Sequence, residues 1–111
     1  MKRGDLVLVP VSRVYGKVRP ALVVQSDTDA ELESVTLCLL TSDLAAPSAS
    51  RVRVSPSKQN GLRQPSHIQA DKLQTVPRDK VRACVGRLEA VTMRQVDQAL
   101  ALHLDLFIPS Q

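Results

Sequence analysis

Arg19-Pro20-Ala21-Leu22-Val23-Val24, followed at short range by Leu39-Leu40-Thr41-Ser42, is the stretch on which the reading of this chain turns. Ala21 to Val24 form a continuous apolar run that reads as a strand buried on both faces. Pro20 fixes its own φ and biases Arg19 toward an extended backbone, so the guanidinium stands at a stiff strand entry. Thr41 puts a hydroxyl at the exit of the second apolar run. A planar fork of donors beside a hydroxyl suits the oxygens of a phosphate better than a flexible lysine does. Taken singly, each residue reads equally well as a solvated strand end.

Further short β-rich runs lie on either side of this pair. Leu6 to Val9 form one, stopped by Pro10, and residues 11–17 make a basic loop with Tyr15-Gly16 as its turn. Residues 35–40 form a third strand. Arg51-Val52-Arg53-Val54 alternates strictly, so one face is apolar and the other doubly cationic. In His67-Ile68-Gln69-Ala70-Asp71 the period of two sends Ile68 and Ala70 inward and groups His67, Gln69 and Asp71 on the opposite side. Such a trio is either the wet side of a strand or the lining of a site. Residues 73–76 and 81–88, separated around Pro77, complete the strand set. The acidic run Asp27 to Glu33 lacks the glycine and terminal glutamate of a calcium loop and reads as a solvated connection.

Toward the C-terminus the period changes. Met93, Val96, Leu100, His103 and Phe107 follow three-and-four spacing, with Arg94, Gln98, Ala101 and Asp105 on the other side, which predicts a helix over about residues 90–107. Ala99, Leu102, Leu104 and Leu106 widen its apolar arc beyond the usual ~100° stripe. One sheet surface covers only part of such an arc, so the helix is expected to pack on its own sheet and on a second subunit, with His103 a packed or interface residue.

At 111 residues, 43% of them hydrophobic, the chain has material for one core and one domain, residues 1–111. Apolar runs fall well short of the ~20 residues that span a bilayer, and the first residues lack the pattern of a secretory signal. Cys38 and Cys84 sit in apolar runs without metal-ligand spacing, and both are expected buried and reduced. The expected location is cytoplasmic, with no membrane partner. Fifteen Lys and Arg against eleven Asp and Glu give a net charge of +4, compatible with a polyanionic partner. With one Tyr, one Phe and no Trp, a base-stacking platform is excluded.

Several short strands followed by one helix predict a mainly β fold, a small closed or half-closed barrel over about residues 1–88 with a C-terminal helix. The segments Arg3-Gly4-Asp5-Leu6-Val7, Arg19 to Ser26, Leu40-Thr41-Ser42, Asn60-Gly61-Leu62, Asp71 to Val76 and Gly86-Arg87-Leu88 occur in the order and spacing of the MazF/PemK toxin family, which the whole chain resembles. The resemblance implies an SH3-like (CcdB/MazF-like) barrel, a homodimer, and metal-independent endoribonuclease activity on single-stranded RNA without a cofactor. It also implies an acidic antitoxin whose extended segment covers the RNA groove. In that family the arginine before the RP proline and the threonine at the end of the third strand form the catalytic pair, here Arg19 and Thr41, and Asp71 falls at a position that lines the RNA site in some relatives. The loop at residues 11–18 is shorter than usual and carries no acidic residue, and Lys72 stands where Gln is common, so RNA sequence preference does not transfer.

RNA supplies its own nucleophile, the 2′-OH, so cleavage to a 2′,3′-cyclic phosphate and a 5′-OH needs in-line positioning, charge stabilisation and proton transfer rather than a metal. Arg19 is assigned to the developing charge and the leaving oxygen, and Thr41, with Ser42, to a non-bridging oxygen. His67 and Asp71 are candidates for the base, His being the easier proton acceptor near neutral pH, and Gln69 shares their face. Asp71 is also a candidate for accepting from a base edge or orienting Arg19. Arg13, Lys17, Arg51 and Arg53 form the expected phosphate track, with a merely soluble surface as the alternative. Two rival readings keep the fold but not the chemistry: a gyrase-poisoning toxin of the CcdB group, and a catalytically idle RNA-binding SH3-like module.

Overall fold

The computed structural model describes residues 1–10, 17–45 and 47–107. Six strands, β1 (Asp5–Pro10), β2 (Val18–Val23), β3 (Ser34–Thr41), β4 (Arg51–Val54), β5 (Ser66–Pro77) and β6 (Ala83–Arg87), precede one helix, α1 (Ala90–Leu104). They form a single antiparallel sheet in the order β4-β5-β3-β2-β1-β6, curled into a half-barrel. The two β-rich runs expected at 67–71 and 73–76 are one long strand. It keeps a single ladder by bulging: Leu40 pairs with Ile68 and Cys38 with Leu73, so Gln69 to Lys72 stand against the single residue Leu39. Extra residues on one strand bend it and re-aim its side chains.

Alternation divides the sheet's apolar residues between two cores. On one face Leu6, Leu22, Cys38, Leu40, Ile68 and Val96 pack together, with α1 lying over β4 and β5. On the other, Val7, Val9, Ala21, Val23, Val35 and Leu37 form a second cluster, joined by Val76 and Val81. A strand with apolar residues on both faces needs both cores, which is why Ala21-Leu22-Val23 shows no alternation. Cys38 is enclosed, and burial pushes its thiol up to about 12, so it packs as an apolar group. Cys84, expected buried, is exposed in β6, an edge strand whose burial is incomplete throughout.

The helix is shorter than its sequence period suggests. Asp105 adopts a left-handed conformation with φ 55°, and the Leu106 N–H closes the end on the Ala101 carbonyl at 2.8 Å. Phe107 therefore lies beyond the helix, 88% exposed, and His103 is also exposed rather than packed. Ala101, expected on the polar side, is buried with Val96 and Ala99.

The start of α1 is tied to the β4–β5 connection. Asn60, fully buried, accepts from the N–H groups of Ser57 and Leu62 and donates to the Ser55 carbonyl and to Glu89. Ser57 also donates its hydroxyl to Glu89. The Ser57 hydroxyl, aided by the Asn60 amide, holds the Glu89 carboxyl below its ordinary value. A folded-state value below the unfolded one adds stability above the unfolded value, and that stability is lost as pH falls through the folded one. Thermal melts taken from about pH 6 down to about pH 3 should therefore fall more steeply for the wild type than for Glu89→Gln.

Candidate functional site

Register places the candidate residues side by side. Thr41 pairs with His67 across β3 and β5, and His67 pairs with Arg53 across β5 and β4. Directly opposed residues of antiparallel strands project from the same face, so Thr41, His67 and Arg53 form a row. Arg19 and Thr41 alternate in step with Ala21 and Leu39 of the second core, so both project from the face away from α1. The paired positions end at Ala21 and Leu39, and Arg19 and Thr41 each lie two residues beyond that last pair on their own strands.

Thr41 is half-buried, and its Oγ1 accepts the Asp43 N–H at 3.1 Å. With a lone pair engaged by the backbone, its hydroxyl hydrogen is available to an oxygen beyond the strand end. Ser42 lies past that end and is exposed. His67 and Gln69 do share a face, as the period of two predicts, but it is not a wet face: they are 5% and 7% exposed. The Gln69 amide donates to the Leu39 carbonyl at 3.4 Å, where the bulge interrupts the ladder. Asp71 sits in the bulge and meets Arg51 at 3.5 Å, both side chains largely buried. The guanidinium that Asp71 engages is thus Arg51, which is thereby held within the site.

Among the described residues two buried polar atoms here have no protein partner, His67 Nδ1 and Asp71 Oδ1. Leaving such an atom unmatched typically costs ~1–3 kcal/mol, a cost a bound ligand relieves. Both belong to the β5 segment that carries the candidate residues.

Arg19 is exposed and opens onto a groove of about 570 Å³. Val9, Leu39 and Val76 line it on the face of the second core, and Gln74, Lys80 and Arg82 also belong to its lining. Thr41 and His67 are not among the residues lining this groove, so the Thr41 row and the Arg19 groove are distinct parts of one sheet face. Lys17 is exposed just before β2, whereas Arg13 lies outside the described residues. Lys80, Arg82 and Gln74 escaped the sequence reading. The signal was present in Lys80-Val81-Arg82, where alternation packs Val81 on the second core and leaves a cation on either side. Among the described residues no group of three or more His, Cys, Asp or Glu has metal-binding geometry.

A family model described as PemK-like, MazF-like toxin of type II toxin-antitoxin system matches residues 2–104. A probable endoribonuclease MazF from Mycolicibacterium smegmatis is 38% identical over 108 residues, covering 96% of this chain and 98% of that protein. Among solved structures, an endoribonuclease in complex with its cognate antitoxin from a mycobacterial species superposes with a TM-score of 0.83 at 23% identity, covering 98% of this chain and 99% of that one. The Mycobacterium tuberculosis toxin MazF-mt6 gives 0.80 at 26% identity, over 94% of this chain and 99% of that one.

Proposed function

Because the chain belongs to the PemK/MazF family of type II toxin–antitoxin toxins, we propose that it cleaves single-stranded RNA without a metal, through Arg19 and Thr41. The observation that carries this reading is the common sheet face of the two residues, with a groove at Arg19 and unmatched polar atoms beside Thr41. The 2′-OH attacks the adjacent phosphorus, the 5′-oxygen leaves, and the products are a 2′,3′-cyclic phosphate and a 5′-OH. Arg19 neutralises the charge that builds on the phosphorane oxygens and delivers a proton toward the leaving oxygen. The Thr41 hydroxyl donates to a non-bridging oxygen, a bond that strengthens as that oxygen gains charge.

His67 is the assigned proton acceptor. It stands across from Thr41, and its Nδ1 has no partner among the described residues. Asp71, with Oδ1 unmatched and Oδ2 turned to Arg51, is suited to accept N–H groups from a base edge. Gln69 holds the strand geometry through Leu39. Arg53 and Lys17, together with Arg13 on sequence grounds, extend the cationic track, and Ser42 adds a hydroxyl at the strand exit.

We further propose a cytoplasmic homodimer silenced by an acidic antitoxin. Leu102, Leu104, Leu106 and Phe107 are exposed on one protomer and supply an apolar surface for a second copy. Among the described residues no helix is long and apolar enough to cross a membrane. Incubating the purified protein with a long single-stranded RNA in EDTA, and then mapping the ends, tests the activity. Cuts at a short recurrent motif, bearing 5′-OH and cyclic phosphate ends, are expected. Intact RNA under these conditions would favour the gyrase-directed or idle alternatives.

A further inference from the structure

The groove at Arg19 has a far wall that the chemistry at the scissile phosphate does not use. Lys80 ends a short 3-10 turn (Arg78–Lys80), and Arg82 follows one residue after Val81. This segment is held at both ends by the backbone. The Arg78 N–H donates to the Glu33 carbonyl at 2.8 Å, and its side chain returns to the Leu32 carbonyl at 2.8 Å. The Arg82 N–H donates to the Leu8 carbonyl at 2.9 Å, while Val81 is packed into the second core. Both cations thus rise from an anchored backbone rather than from a free loop.

Among the described residues the groove lining contains three cations, Arg19, Lys80 and Arg82, and no carboxylate, and none of the three is ion-paired. Its floor of Val9, Leu39 and Val76 is apolar, and Gln74 contributes a side-chain amide. Its volume lies within the ~300–1,000 Å³ typical of small-molecule sites. An apolar floor, one amide and a cationic rim match a nucleotide: a base lying flat on aliphatic side chains, its edge on the amide, its phosphate at the rim. Arg19 belongs to both the groove and the candidate cleavage site, so a strand bound for cleavage runs along this wall.

Resting on the endoribonuclease reading above, we propose that this groove seats the nucleotide next to the cleavage point, with Lys80 and Arg82 binding its phosphate and Gln74 its base edge. Lys80 and Arg82 are binding residues for the RNA strand; Gln74 determines base preference at one position beside the cut.

The probe is a short RNA that the protein cleaves, synthesised with a 2′-deoxy sugar at the cleavage point so that it binds without being cut. The combined Lys80→Gln and Arg82→Gln variant should bind it about tenfold more weakly at moderate salt. Its log–log salt dependence should flatten by about 0.7, the change for one phosphate no longer neutralised on a single strand. Its melting temperature should be unchanged, since both side chains are exposed. Gln74→Ala should leave the salt slope alone and relax base preference at one position. Lys58→Gln with Arg63→Gln removes the same charge away from the groove and should change neither affinity nor slope.

Unchanged affinity and slope in the Lys80/Arg82 variant overturn the subsite while leaving the nuclease intact. An equal loss in the Lys58/Arg63 control overturns it too, as an effect of net charge. RNA binding retained with loss of binding to an oligo-glutamate peptide assigns the wall to an acidic protein partner instead. Failure of the wild type to cleave or bind any RNA defeats the endoribonuclease reading itself, and the subsite with it.

Discussion

Arg19→Ala is expected to slow RNA cleavage by about 10³-fold while weakening binding of an uncleavable RNA by less than tenfold. A charged fork aimed at oxygens that gain charge contributes mainly in the transition state, so its loss falls on kcat rather than on binding. Removing a single neutral donor of this type typically costs ~10²–10³. A guanidinium, with its full charge and two-point geometry, belongs at the upper end. Arg19→Lys retains the charge but loses the planar fork, and should fall between wild type and Ala. The position tolerates either change structurally, because Arg19 is exposed and lies outside both cores. Single-turnover rates, with melting temperatures as control, give the answer. A loss of tenfold or less in Arg19→Ala removes Arg19 from the chemistry.

The second large effect is on folding. Gly61 has φ +69°, and a Cβ built there would stand 2.1 Å from the Val85 carbonyl oxygen. Gly86 meets the same segment from the other side, where its Cβ would be 2.3 Å from the Asn60 carbonyl oxygen. The Arg87 N–H donates to the Gln59 carbonyl at 3.0 Å between them. Two backbones lie back to back, closer than any side chain permits, and the Asn60 network fixes one of them against the start of α1. Gly61→Ala is therefore expected to cost about 3 kcal/mol or more, on the order of 10 °C in Tm, or to prevent folding. Gly4 also has positive φ, +96°, but a Cβ there meets nothing nearer than the Arg87 side chain at 3.5 Å. Gly4→Ala should therefore cost only the conformational penalty of about 1–2 kcal/mol. Equal melting temperatures for the two variants would show that close approach is not what the Asn60-Gly61-Leu62 and Gly86-Arg87-Leu88 segments provide.

Local pattern was sufficient where a residue's environment follows from its own strand. Arg51-Val52-Arg53-Val54 alternates and is β4 residue for residue. The apolar run after Pro20 is buried on both faces, as an unalternating strand must be. Pattern was insufficient where distant segments meet. The bulge from Gln69 to Lys72 exists because β5 serves β4 with one end and β3 along its whole length, a constraint absent from its own residues. Asp71 within it meets Arg51, and His67, paired with Thr41 on one side and Arg53 on the other, is buried, so a trio that reads equally well as a wet surface lies inside the sheet. The groove wall was hidden for the same reason: Lys80 and Arg82 gain meaning only when the chain after Pro77 returns over β1 and faces Arg19. At the other extreme, the three-and-four period carried on past Leu104 through residues that a left-handed Asp105 removes from the helix.

In the proposed mechanism Arg19 and Thr41 serve one phosphate, although they rise from different parts of the sheet face. A kinetic double-mutant cycle, Arg19→Ala and Thr41→Val separately and together, measured on one end-mapped RNA in EDTA, addresses this directly. Groups that act as a unit lose far less together than the product of their separate losses. The double variant is expected to cleave about as slowly as the slower single variant. Losses that multiply in full would contradict the mechanism, since the two side chains would then be acting independently.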